Sequence, residues 1–423
     1  MSKDVVITGM GVITSIGQSI EEFKFSLKQG KCGINYLSQN YVPQISVKIG
    51  AEIHGLSFES ALNNYRSGIN DEIIAKALSI GKRSTLPIQG SIISAIESWK
   101  SAELFEKAIP GERIGLIVCG HNTTNHYRYN LYEKFSKDPE YLSPRYALQY
   151  LDTDQIGTLS CVLDIHGDGS LAGGASASGN VGIIKGLQLI RSGEVDACLV
   201  AGVLADLSPM ELQGYYNIGA MTGGKYSNNP TLACRPFDEE HEGFVYGQAS
   251  GCLVLESSES AKKRGIPVLA RLLGGAIVLD GNNLSNPNEQ GEIRAMSLAL
   301  KKSGINFDEI DYINAHGTSS PLGDKTELIA IREVFKEHSQ NIWINSTKGL
   351  TGHCLYSAGL IEAIAVILQM QEQFIHPNKN LLNPIDTSFR FCGSELQQTE
   401  IKTALSNSFG FGGINTCLIL KKE

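Results

Sequence analysis

Three short segments of the sequence concentrate side chains able to do chemistry. Asn314-Ala-His316-Gly-Thr318-Ser-Ser320 and Ser346-Thr-Lys348-Gly-Leu-Thr-Gly-His353 each place a histidine in a loop of small residues, after a short apolar run that reads as a strand. Open α/β sheets present their ligands at the carboxyl ends of strands. A single loop histidine is usually a solvated or a core residue. Two in equivalent contexts, one with Lys348 nearby, point to an active site where imidazole moves protons or donates hydrogen bonds. The third segment is Gly167-Asp-Gly-Ser-Leu-Ala-Gly-Gly-Ala-Ser176-Ala-Ser178-Gly179, which runs directly into the apolar stretch 181–190. A hydroxyl at such a junction lies where free backbone N–H groups and the helix dipole concentrate positive potential. Taken alone, Ser176 or Ser178 reads as an ordinary helix cap. The two histidines elsewhere give the segment its chemical interest.

Two glycine-rich stretches carry less. Gly219-Ala-Met-Thr-Gly-Gly-Lys225 approaches a phosphate-binding P-loop, but Tyr226 stands where a Ser or Thr must ligate magnesium, and the preceding segment reads as helix rather than strand. That reading is discarded. Gly410-Phe-Gly-Gly413 reads as a tight turn between two strands that lets the backbone approach closely.

The elements that must position these loops alternate along the chain. Short β-branched runs and longer amphipathic stretches succeed one another, the pattern of an α/β protein with a buried sheet. Val5 to Thr8 reads as the first strand, and Ser19 with Glu22 as a capping box opening a helix over 20–29. Further strands are expected at 114–118, 197–201, 252–256, 268–273, 310–314, 343–345, 404–407 and 416–420, with helices at 86–102, 177–192, 290–303, 324–336 and 357–371. Residues 121–158 break this rhythm and hold six of the fifteen tyrosines. They read as an insertion over a site or an interface, or as a plain surface excursion. Lys262-Lys-Arg264, followed by Gly265 and Pro267, marks the internal boundary between two α/β halves, 1–260 and 261–423.

Composition narrows the function classes. The 423 residues carry a formal net charge of -8 with no face obviously enriched in Lys and Arg, which argues against a nucleic-acid partner. No apolar run approaches the roughly 18 residues of a membrane span. The nine cysteines are odd in number, scattered and free of any Cys-x-x-Cys pair, which argues against a zinc site or a disulfide framework and fits a reducing cytoplasm. No signal peptide precedes the first strand, so a cytoplasmic protein is expected.

Five motifs together carry a family resemblance: VVITGMGVITSIG at the amino end, RPFDEEHEGFVYGQASG at 235–251, AHGTSSPLGDKTE at 315–327, STKGLTGHCLYSAG at 346–359 and NSFGFGG at 407–413. In order and spacing, over essentially the whole chain, they resemble the β-ketoacyl-acyl-carrier-protein synthases. The resemblance implies the thiolase-like fold, two similar halves in an αβαβα layered arrangement, usually a homodimer. It also implies an acyl carrier protein as partner, whose phosphopantetheine arm brings the substrate, and no cofactor or metal of the protein's own. Carrier proteins are acidic, so a basic entrance is expected despite the overall charge.

The same resemblance assigns residues. Where the family carries a nucleophilic cysteine, in a Thr-Ala-Cys-x-Ser-Gly motif, this chain has Gly174-Ala-Ser176-Ala-Ser178-Gly179. Ser176 therefore stands at the nucleophile position. His316, His353 and Lys348 match the family's catalytic histidines and lysine, with Asp324, Glu327 and Glu362 as supporting carboxylates. Phe409 matches the gating phenylalanine, whose backbone N–H completes an oxyanion hole with that of the nucleophile. Thr318 and Ser320 fall where two threonines usually hold the phosphopantetheine arm, and Gln248 replaces a usual glutamate.

The serine alters the expected chemistry. A thiol of pKa about 8.5 is readily lowered to a thiolate at a helix amino end, whereas a serine hydroxyl stays protonated and needs a general base. No third group in these motifs is evidently arranged to supply one. Acyl transfer should be slow or absent, while decarboxylation of a malonyl thioester needs only hydrogen-bond donors at the thioester oxygen. The expectation is a malonyl-acyl-carrier-protein decarboxylase that supplies acetyl groups for polyketide β-branching, resembling the family's serine-type members. Three alternatives stay open: a serine-dependent acyltransferase on the same fold, a condensing enzyme whose cysteine was changed to serine, and a non-catalytic partner resembling chain-length factors. Retention of both histidines and the lysine argues against the last.

Overall fold

The computed structural model describes residues 3–38, 45–222, 224–282 and 285–423. Gly223 of the P-loop-like stretch lies outside the described residues. Eleven strands form one sheet: β1 (Val5–Thr14), β2 (Ile114–Cys119), β3 (Gly169–Ala172), β4 (Ala197–Gly202), β5 (Ala249–Ser257), β6 (Ala270–Leu279), β7 (Tyr312–Asn314), β8 (Trp343–Asn345), β9 (Arg390–Phe391), β10 (Thr403–Gly410) and β11 (Ile414–Lys421). Their order is β9-β8-β7-β10-β11-β6-β1-β5-β4-β2-β3.

That order contains the same five-strand pattern twice. From β1 outward, β5 and β4 join antiparallel and β2 and β3 parallel. From β6 outward, β11 and β10 join antiparallel and β7 and β8 parallel. The two patterns meet where Val5–Ile7 pairs with Ala270–Leu272, so the layers expected as separate sheets share one continuous hydrogen-bonded edge.

Helices complete the layers. Besides α1 (Ile20–Gln29), these are α2 (Leu86–Ser101), α3 (Ser178–Ser192), α4 (Glu289–Ser303), α5 (Pro321–Phe335) and α6 (Ala358–Glu372). Ile88, Ile92, Ile96 and Trp99 of α2 share one outer core with residues of β2 and β4. On the other outer face, Ala295, Met296, Ala299 and Leu300 of α4 and Leu328 and Ile331 of α5 share a core with β10 and β11. Between the two half-sheets lie α3 and α6, whose apolar side chains form a single central core with both inner faces. This explains why α6 is apolar nearly all round: a helix covered on every side has no polar face to show.

The two central helices start alike. A 3-10 turn, Ala175–Ala177, opens the fifteen-residue α3, and a second, Leu355–Ser357, opens the fifteen-residue α6. Ala175 has φ 47° and Leu355 φ 49°, left-handed values that cost a non-glycine residue about 1–2 kcal/mol each. The helices cross where Gly179 meets Gly359. A Cβ on Gly179 would stand 2.7 Å from Leu360 N and 3.0 Å from Gly359 Cα, so only glycine permits the approach.

One local detail differs from expectation. Ser19 caps α1 by accepting the Glu22 N–H, but the Glu22 carboxylate accepts from Gln18 N–H rather than closing the capping box on Ser19. The tyrosine-rich segment lies on the surface: the helix Asn125–Lys137 buries no side chain, and Tyr127, Tyr146 and Tyr150 stack on one another outside. At its two ends the segment turns inward: the His121 ring packs 4.7 Å from that of Tyr356, and Thr123, Thr124, Gln155 and Thr158 are buried. Among the described residues, no helix is long and apolar enough to cross a membrane.

Candidate active site

Ser176, His316, His353, Phe409, Thr318 and Ser320 line one cavity of about 430 Å³. Each reaches it by a different route. Ser176 sits in the strained turn ahead of α3. His316 follows β7, and Phe409 lies near the tip of β10. That tip rests on the Ser176 turn so closely that a Cβ on Gly410 would stand 2.3 Å from Gly174 O.

His353 is fixed on both sides of its ring and along its backbone. Its N–H donates to Val245 O at 2.6 Å, and its carbonyl accepts from Gly247 N–H at 3.0 Å. The Val245–Gly247 stretch thus acts as a clamp, and Gly247 leaves room for Thr351 O, 2.3 Å from where a Cβ would be. The edge of Phe244 packs against the ring, centroids 5.3 Å apart. Leu355 N–H donates to His353 Nδ1 at 3.3 Å, while Nε2 lies 2.7 Å from Ser176 Oγ. An imidazole nitrogen that accepts a backbone N–H carries no proton, so in the neutral ring the proton is on Nε2. The histidine is the donor in its bond to Ser176.

His316 stands in the same state for a related reason. Lys348 Nζ donates to the His316 carbonyl at 2.6 Å and lies 3.5 Å from His316 Nδ1, which keeps a lone pair on that nitrogen and the proton on Nε2. Burial first, then the Lys348 charge, holds both imidazoles well below the usual histidine range, with His353 adding to the effect on His316. The two rings meet edge-on, centroids 5.6 Å apart, and Phe409 packs 5.5 Å from His316. The cavity therefore offers two neutral imidazole donors side by side.

Carboxylates hold the loops. Glu362, buried on α6, pairs with Lys348 and accepts from Ser408 Oγ at 3.2 Å. Glu327 on α5 accepts the N–H groups of His316 and Gly317, each at 2.8 Å, and the Asn407 amide at 3.0 Å. Burial pushes its carboxyl up to about 7 against the pull of these donors. Asp324 stays out of the cavity: it accepts from Phe237 N–H at 2.8 Å, Ser319 N–H at 3.1 Å and His241 at 3.0 Å, tying the 235–241 loop to the His316 loop. Thr318 Oγ1 donates to Ser320 Oγ at 3.1 Å at the cavity wall. Gln248 is away from the cavity, buried, with Oε1 accepting Ile53 N–H at 3.0 Å.

Two lining residues escaped the sequence reading. Tyr356 occupies, in the turn ahead of α6, the place Ser176 occupies ahead of α3. Glu292, in the opening of α4, reads in sequence as part of a solvated, charged first turn, Glu289-Gln-Gly-Glu292, yet it is 1% exposed and faces this cavity. Only the repeat of the two turns, visible as Ala-Ser-Ala-Ser-Gly against Leu-Tyr-Ser-Ala-Gly, could have pointed to the first. Among the described residues, no group of three or more His, Cys, Asp or Glu side chains is placed to hold a metal ion.

Comparison with known proteins agrees with this geometry. The chain matches the model of the β-ketoacyl synthase N-terminal domain over residues 2–261 and that of the C-terminal domain over 269–382. It is 39% identical to a polyketide biosynthesis malonyl-ACP decarboxylase, PksF, of Bacillus subtilis (strain 168), over 99% of this chain and 96% of that protein. It is 32% identical to the chloroplastic 3-oxoacyl-[acyl-carrier-protein] synthase I of Arabidopsis thaliana, over 98% of this chain and 85% of that protein. Among solved structures, the ishigamide ketosynthase/chain length factor superposes with a TM-score of 0.85 at 28% identity, over 100% of both chains. The chain, with its thiolase-like α/β fold, belongs to the β-ketoacyl synthase family and is an enzyme of ketosynthase type.

Proposed function

We propose that the protein is a malonyl-acyl-carrier-protein decarboxylase, acting as a homodimer and giving acetyl-acyl-carrier protein for polyketide β-branching. The observation that carries this reading is the direction of one hydrogen bond. His353 Nδ1 is occupied by Leu355 N–H, so Nε2 donates to Ser176 and cannot take its proton. A hydroxyl with no base stays a poor nucleophile. The likeness to a malonyl-ACP decarboxylase across the whole chain supports the same reading.

The chemistry follows from the donors. The malonyl thioester enters on the phosphopantetheine arm, held at Thr318 and Ser320. The Nε2–H groups of His316 and His353 donate to the thioester oxygen. The bond between the α-carbon and the terminal carboxylate breaks, carbon dioxide leaves, and the electron pair moves into an enolate whose negative oxygen faces both donors. Lys348 and Glu362 fix the protonation and position of His316. With no acyl group on Ser176 to attack, the enolate takes up a proton and leaves as an acetyl thioester.

Incubation with malonyl-loaded carrier protein and intact-mass analysis tests this. The expected result is loss of one carbon dioxide per carrier protein. A malonyl group that stays intact, an elongated acyl chain, or an acyl adduct on Ser176 would each overturn it.

A further inference from the structure

The decarboxylase reading leaves one step without a residue: the enolate carbon needs a proton, and the two histidines and the lysine are committed elsewhere. His316 and His353 donate to the oxygen. Lys348 is bound to the His316 carbonyl and to Glu362. We infer that Glu292 is the acid that delivers this proton to the α-carbon, an inference that rests on the decarboxylase reading.

Glu292 lines the same cavity as Ser176, His316 and Phe409, is 1% exposed, and has an Oε2 with no hydrogen-bond partner. It is not spent on capping its helix. Asn288 does that, accepting Gln290 N–H at 3.0 Å through its side chain. No cation is paired with Glu292 among the described residues. Arg294, on the same helix, approaches Asp280 instead, at 4.0 Å, and the Asn415 amide of β11 also goes to Asp280, at 2.8 Å. Three acidic groups raise its hold on a proton: Glu327 from α5, Asp280 after β6, and Glu289 on its own helix. A buried carboxyl with an orphan oxygen and acidic neighbours keeps its proton in the resting site. Burial first, then Glu327, Asp280 and Glu289, puts it well above the usual carboxylate range.

The step balances without a further reagent. The O–H bond of Glu292 breaks with its electron pair left on the carboxylate, the pair of the enolate C=C bond becomes the new C–H bond at the α-carbon, and an oxygen lone pair re-forms the carbonyl. The carboxylate left behind lies at the amino end of α4, where the helix dipole stabilises it until water returns a proton.

The test is a partition experiment on the full chain with malonyl-loaded carrier protein in buffer containing ¹³C-bicarbonate. If Glu292 protonates the carbon, E292Q cleaves the carbon–carbon bond but holds the enolate longer. Net acetyl formation then falls by a factor on the order of 100, the usual worth of a general acid. Label meanwhile returns to the unreacted malonyl group. E292D restores part of the acetyl rate. A native-like partition in E292Q, or a folded E292Q with neither product nor label exchange, would overturn the assignment. Should E292Q fail to fold, the native protein decides: label return must rise with pH as Glu292 loses its proton, and a flat profile overturns the idea. If the native protein releases no carbon dioxide at all, it is the decarboxylase reading that has failed.

Discussion

His353 donates to Ser176 across 2.7 Å, and the Leu355 N–H bound to its other nitrogen fixes that direction. A serine hydrolase needs the opposite polarity, with imidazole accepting the hydroxyl proton. One backbone N–H thus separates a stabilising donor from a general base.

Ser176→Ala should leave most of the decarboxylation intact. Losing one neutral hydrogen-bond partner is worth about 1 kcal/mol, or roughly a fivefold change in rate. Initial rates of acetyl-carrier-protein formation check this, and a thousandfold loss would restore the hydroxyl as a nucleophile.

On the proposed mechanism, His316→Ala and His353→Ala each remove a donor aimed at the developing enolate. Each should cost on the order of 100- to 1000-fold in kcat, with the fold intact by circular dichroism. Because both act on one oxygen, the double variant should fall short of the product of the two losses.

Lys348→Met leaves Glu362 buried with no positive partner. Breaking a buried pair from one side costs about 3–5 kcal/mol, readable in urea unfolding. Lys348→Met combined with Glu362→Leu should recover much of that stability while the activity stays lost, which separates the fold's use of the pair from the site's.

Acid should destabilise the protein through His376. It is buried between Asn345 and Thr347, just ahead of Lys348, and burial lowers its pKa to about 4. The unfolded chain binds a proton near 6.5 that the folded chain refuses until about 4, so the stability held above 6.5 is lost as pH falls through that window. The loss amounts to roughly 3 kcal/mol. Because Glu327 opposes it over much of the same window, the contribution is read as a difference: the unfolding free energy of the native protein relative to His376→Gln should fall as pH drops from 7 to 4. Glu327, raised to about 7, acts in the opposite sense, losing stability as pH rises from 4.5 to 7.

Gly179→Ala should be disproportionately harmful for one methyl group. Its Cβ would meet the backbone of Leu360 and Gly359, which no rotamer can relieve, so a loss of about 1–3 kcal/mol is expected in thermal unfolding.

Much of this molecule was legible because its signals are local. Strand β8 and helix α6 stand within a residue of where their apolar runs placed them, since largely buried elements leave a predominantly apolar trace. Strand β3 left none: Gly169-Ser-Leu-Ala172 is an edge strand with three exposed residues and no alternation, and it read as part of a loop. Strand β9, two residues long, had no length in which to show a period. In the site, His316, His353 and Lys348 were marked by the small-residue loops around them. What no local pattern carries is partnership across the chain. The Ser176–His353 bond spans 177 residues, and the tautomer behind it depends on a backbone N–H that any residue but proline would supply at 355.

The repeated turns ahead of α3 and α6 have a consequence of their own. Both keep a non-glycine residue in the left-handed region, Ala175 and Leu355, although only the first sets a hydroxyl, that of Ser176, against His353. At the mirrored position the second turn presents Tyr356, a bulky ring packed on His121. An ancestral duplication that copied the strained backbone would leave this asymmetry: two matching pedestals, one offering a hydroxyl to a histidine and the other reused as a wall of the cavity.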